Sequence, residues 1–176
     1  MCRRNLFLMF SKMNYLPLII LAAAIIHIIE EFFYPGGFID FARKNIVKNN
    51  RRIMAEAIDS NMAVIVNALF LLLCLVNVLI SGTGTLLHYS LVGLILFNSL
   101  FHIAGSIIIR KYSPGLITSV LIYIPLAVYI ISNSNKSGDE MLIAMVIGIL
   151  LNLVPIIIVL VRSKFVFNYK NKVLLK

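Results

Sequence analysis

The stretch YLPLIILAAAIIHIIEEFFYPGG, residues 15–37, decides the fold class. From Tyr15 to Phe33 it is almost wholly apolar, and Pro35-Gly36-Gly37 ends the run. A helix covers the roughly 30 Å hydrocarbon layer of a bilayer with about 20 such residues. The run has no polar–apolar alternation, so it is not a strand of a membrane barrel. Four further runs of the same kind cover residues 62–80, 86–109, 115–131 and 141–161. They predict an all-α, polytopic membrane helical bundle of about five transmembrane helices. Without an internal repeat or a linker, residues 1–176 form a single domain that ends in a basic tail from 162 to 176.

Composition agrees. The 176 residues are 61% hydrophobic and 13% charged, with mean hydropathy +0.99, against about 45–50% and 25% for a soluble domain. This excludes a disordered chain, a fibrous protein and an ordinary soluble enzyme. The net charge of +9 comes without an RNA- or DNA-binding motif. On so apolar a chain it points to a lipid surface, with no nucleic acid as partner. Cys2 and Cys74 build neither a disulfide framework nor a cysteine zinc site, and Cys74 reads as a small buried hydrophobe. Gly82-Thr83-Gly84 lacks the spacing and the Lys of a phosphate loop. No Gly-x-Ser-x-Gly elbow is present.

Local signals sharpen the boundaries. Ser113 is placed to cap a helix that has Pro114 at its first position. Pro125 and Pro155 fall inside spans and predict kinks. Ala144 and Gly148 form a small-xxx-small pair suited to close helix packing. Between 38 and 60, basic residues alternate with Ile46, Val47, Ile53, Met54 and Ala57. That pattern suits an amphipathic helix on the membrane surface or a solvated extension of span two.

Five spans put the termini on opposite sides. The N-terminal side holds Arg3, Arg4, Lys12 and Lys136, four basic residues, and the other side holds the remaining twelve. The positive-inside rule then places the N-terminus outside and the C-terminus in the cytoplasm of a cell-membrane protein. Arg3, Arg4 and Lys12 before an apolar run also look like a signal anchor, and Met9 and Met13 are alternative starts.

The chemistry lies in the polar residues inside the spans. His27, Glu30 and Glu31 share one helix face, within an arc of about 100°. Buried ionisable groups cost several kcal/mol unless paired or facing a polar cavity, so this face points into the bundle. His102 lies about 10 Å from the end of span three, matching the depth of His27 at about 9 Å. Asn98 and Ser106 extend its stripe, while Asn67 in span two has Glu56 upstream on the same face if the helix continues. His88 sits at the opposite end of span three and reads as interfacial.

His27-Ile28-Ile29-Glu30-Glu31 resembles the motif that names the HXXEE-domain family of small bacterial and archaeal membrane proteins. Asn98-Ser99-Leu100-Phe101-His102, followed by Arg110, Tyr112, Pro114 and Gly115, is similar to that family's second block. The likeness extends from about Tyr15 to Val161. It implies no activity, but it marks His27, Glu30, Glu31, Asn98 and His102 as the residues to question.

Three functions follow. In a metal-dependent membrane enzyme, His27, Glu30 or Glu31, Glu56 and His102 hold zinc or iron. The spare member of the Glu30/Glu31 pair is then the catalytic base, and Asn67 and Asn98 are supporting polar groups. Its substrate is lipid-like, since the site opens toward one leaflet. In a proton-coupled transporter or channel subunit the same residues form a relay, and a homo-oligomer makes up for the small number of spans. In a non-catalytic assembly subunit His27 and His102 bond across helices, while Glu30 and Glu31 reach toward the headgroups.

Overall fold

A computed structural model describes residues 15–33, 37–48, 52–80 and 84–174. The alternative starts and Cys2, the signal-like Arg3, Arg4 and Lys12, the Pro35-Gly36 breaker, Arg51, Gly82-Thr83 and Lys176 lie outside them. Among the described residues all regular structure is helical: α1 Leu16–Phe33, α2 Gly37–Lys48, α3 Arg52–Ala57, α4 Ser60–Leu79, α5 Leu86–Ile109, α6 Leu116–Ser132, α7 Gly138–Asn152 and α8 Val154–Leu174. Helices α1, α4 and α5 and the stretch Gly138–Phe167 are long and apolar enough to cross a bilayer, and α6 is a shorter apolar helix. The protein is a helical membrane bundle. Its outer faces carry Ile, Leu and Val, as at Ile19, Leu72 and Leu142, because lipid and not water is the surrounding solvent.

Helix α5 is the axis. Leu91, Val92 and Ile95 are fully buried on it, among Ile20 and Ala24 of α1 and Tyr123 and Ala127 of α6. Its closest neighbour is α7. A Cβ added to Gly148 would stand 2.5 Å from Leu94 N and Ser90 O, so only glycine lets the two backbones approach. Ala144, one turn earlier, is buried in the same core.

Both prolines act on their spans. Pro125 follows a π-helical turn at Ser119–Tyr123 within α6. Its ring and missing N–H prevent regular α-helical bonding to the preceding turn, and the widened turn absorbs the mismatch. Pro155 follows the break at Leu153 that divides the last span into α7 and α8.

Two expectations are corrected and a third is refined. The 38–60 segment is not a continuous extension of span two. It folds into α2 and α3, and Ala57, Ile58 and Met62 pack with Val159 of α8 in a second core. Asp59 is extended (φ −135°, ψ 174°) and accepts from Met62 N at 2.8 Å, so a fresh helix starts at Ser60 and Glu56 does not share a continuous face with Asn67. Ser113 and Pro114 do not open α6: that helix begins at Leu116 behind Gly115, whose φ is +95°. His88 stands at the expected end of α5, but its ring is fully buried and lies 3.2 Å from Asn77 Nδ2.

Candidate metal centre

The helix register of α1 puts His27 and Glu31 one turn apart, and α5 brings His102 in from the facing side. His27 Nε2 lies 3.6 Å and His102 Nε2 3.2 Å from the same atom, Glu31 Oε1. The rings meet edge to face with centroids 5.1 Å apart, and both histidines are buried. All three ligand atoms lie within 4.8 Å of one another. Two ligands held at about 2.0–2.1 Å by a tetrahedral ion stand about 3.3 Å apart. The two nitrogen–oxygen spacings bracket that value.

The other nitrogen of each ring is held by a hydroxyl from the chain between α5 and α6 or the start of α6. His27 Nδ1 is 2.6 Å from Thr118 Oγ1, and Thr118 Oγ1 also lies 3.3 Å from Gly115 O, to which it donates. Thr118 Oγ1 thus bridges the Gly115 carbonyl and His27 Nδ1, and the other ring nitrogen, Nε2, faces Glu31. That Nε2 is buried with no hydrogen-bond partner among the described residues. His102 Nδ1 lies 3.3 Å from Ser113 Oγ. Ser113 is itself held through its N–H to Ser106 Oγ at 3.0 Å. Such outer partners fix tautomer and ring orientation at histidine metal sites.

Gly115 closes the wall. A Cβ there would stand 2.7 Å from His102 Cε1 and 2.9 Å from His27 Cε1, and the positive φ independently favours glycine. Phe38 of α2 packs edge to face with His102, ring centroids 6.3 Å apart.

Glu30, expected as a ligand or as the base, is placed elsewhere. Its carboxylate accepts from Ile117 N at 2.9 Å, from Thr118 N at 2.7 Å and from the Tyr112 hydroxyl. Gly115 has no side chain to cap α6, so a glutamate from another helix takes the orphan N–H groups of the first turn. Glu30 and Glu56 are outside the His27–Glu31–His102 group. Asn67 and Asn98 do line the cavity beside it.

Sequence reasoning found the two histidines and the glutamate pair but gave Ser113, Thr118 and Gly115 no role at the site. The available signal was the density of hydroxyl groups at Tyr112, Ser113 and Thr118 around one short connection. A family model described as "Protein of unknown function with HXXEE motif" matches residues 18–130. No curated protein and no solved structure matches the chain.

Proposed function

The chain belongs to the HXXEE family, and from its polar cluster we propose a membrane-embedded metalloenzyme in which His27, Glu31 and His102 hold one zinc or iron ion for chemistry on a lipid-like substrate. One observation carries the reading: two histidine Nε2 atoms converge on one carboxylate oxygen while a hydroxyl lies beside each Nδ1. Three protein ligands leave a coordination position open, as catalytic sites do and closed structural sites do not. When bound, the ion supplies Lewis-acid polarisation of a substrate oxygen.

The chain's own groups have separate tasks. Thr118 and Ser113 orient the imidazoles. Glu31 provides the negative charge between them. Glu30 organises the first turn of α6 and so sets the position of Thr118 toward His27. By the positive-inside rule the protein sits in the cell membrane with its N-terminus outside, its C-terminus in the cytoplasm and the centre near the cytoplasmic face.

The test is the metal content of protein purified in mild detergent, measured by inductively coupled plasma mass spectrometry beside Glu31→Gln. About one equivalent of zinc or iron is expected in the wild type, with most of it lost in the variant. A folded wild type without metal overturns the reading. The 3.2 Å contact of His102 with Glu31 then favours a proton relay, read as pH-dependent flux into liposomes.

A further inference from the structure

Beside the cluster lies a cavity of about 260 Å³, near the lower end of small-molecule pockets at about 300–1,000 Å³. His27 and Glu31 line it, and so do Leu69 and Leu72. Those two leucines are also 46% and 54% exposed on the outer face of α4. The cavity therefore runs from the buried centre to the surface that meets lipid.

Besides His27 and Glu31 its wall is apolar apart from Asn67, Asn98, Tyr123 and Asn152, and two of these four carry a buried polar atom with no partner within the described protein. Tyr123 is 1% exposed and stacks on His27 with centroids 4.5 Å apart. Its hydroxyl is buried without a hydrogen-bond partner among the described residues, and so is Asn98 Oδ1. Both residues line this cavity. Buried polar groups are nearly always paired in native proteins, so an unpaired phenol hydroxyl and an unpaired amide oxygen on one wall mark the chemistry of what binds there. No Lys or Arg is among the described lining residues, which disfavours an anionic head.

We propose that the cavity binds a long-chain alcohol, its hydroxyl between Tyr123 and Asn98 beside the metal centre and its chain leaving past Leu69 and Leu72. A hydroxyl both donates and accepts. It satisfies the phenol and the amide together, whichever way the amide is turned, whereas an ester or ketone only accepts. The apolar tail lies along a wall of matching character and continues into lipid. This names the substrate class of the same centre and rests on the metal reading, but the two are measured separately.

The test is binding of radiolabelled hexadecanol to the detergent-purified protein, with unlabelled hexadecanol, hexadecane and hexadecanoate as competitors. Hexadecanol is expected to compete at least about tenfold better than the other two. Tyr123→Phe and Asn98→Leu are each expected to weaken its binding about 3- to 10-fold. Metal content is read on the same samples, where Tyr123→Phe should retain the wild-type stoichiometry. Equal competition by hexadecane, no saturable binding, or wild-type affinity in both variants overturns the alcohol. If metal is present in that case, the centre stands without it. Selective alcohol binding by a metal-free wild type removes the centre and keeps the cavity's ligand.

Discussion

Helix α5 buries a histidine near each end, and the two are treated differently. At its start, His88 lies 3.2 Å from the amide of Asn77 and edge-on to Tyr89, a polar tie between α4 and α5. Near its end, His102 meets a carboxylate and a second imidazole, with a hydroxyl on its far nitrogen. Burial is similar at 0% and 5% exposed, so burial does not distinguish them. The partners do. A neutral amide beside one ring nitrogen ties two helices together, whereas a carboxylate shared by two imidazoles gathers lone pairs in one place, as a cation requires.

The largest effect expected from this contrast is in metal content. His102→Ala should remove nearly all of the bound metal, and His88→Ala should leave its stoichiometry unchanged, both read by mass spectrometry on folded protein. Equal losses from the two variants would erase the distinction between the ends.

Next is the outer support of the centre. Thr118→Val keeps the shape of the side chain and removes the hydroxyl facing His27 Nδ1. Metal affinity should fall about 10- to 100-fold, measured by chelator competition. An unchanged affinity breaks the link between α6 and the centre.

Glu30 sharpens the comparison with its neighbour Glu31. Glu30→Ala removes the acceptor for Ile117 N and Thr118 N, at a cost of about 1–2 kcal/mol typical of a lost N-cap. Thermal unfolding in detergent should move by that amount, while metal binding at saturation persists. Loss of metal with stability intact would return Glu30 to the list of ligands.

The smallest effect lies where α4 meets α8. Asp59 forms two bonds to Arg162 at 2.7 and 2.5 Å, and the guanidinium holds its carboxyl below the usual value. A lowered folded pKa means that the pair's contribution is present above the unfolded value near about 3.9 and is lost as pH falls through the folded one. Partial exposure limits it to about 1 kcal/mol. Asp59→Asn should therefore lower stability at neutral pH and flatten its decline below about pH 4, read from unfolding midpoints across the acid range. An identical acid profile in the variant removes the pair from the account.

Much of the fold was legible because lipid imposes a blunt length rule. Residues 15–33 and 86–109 were bounded to within a residue by hydropathy and the breakers that follow. The 38–60 segment was less so, since its alternating pattern fits a separate amphipathic helix as well as an extension of span two, and the extension was ruled out by Asp59, whose extended backbone starts a fresh helix at Ser60. At the site, Ser113 has a good capping signature next to Pro114, yet the hydroxyl faces His102. Local rules weigh only local partners, and they cannot register an imidazole eleven residues away on another element.

By itself the sequence determined that the chain is a helical membrane bundle and that His27, Glu30 and Glu31 share a face, because both follow from helix geometry and the thickness of a bilayer. Only the tertiary structure decided which glutamate joins the histidines. Successive residues on a helix diverge by about 100°. That step turns Glu30 to the uncapped first turn of α6 and Glu31 to His102, and neither neighbour exists until the helices have packed.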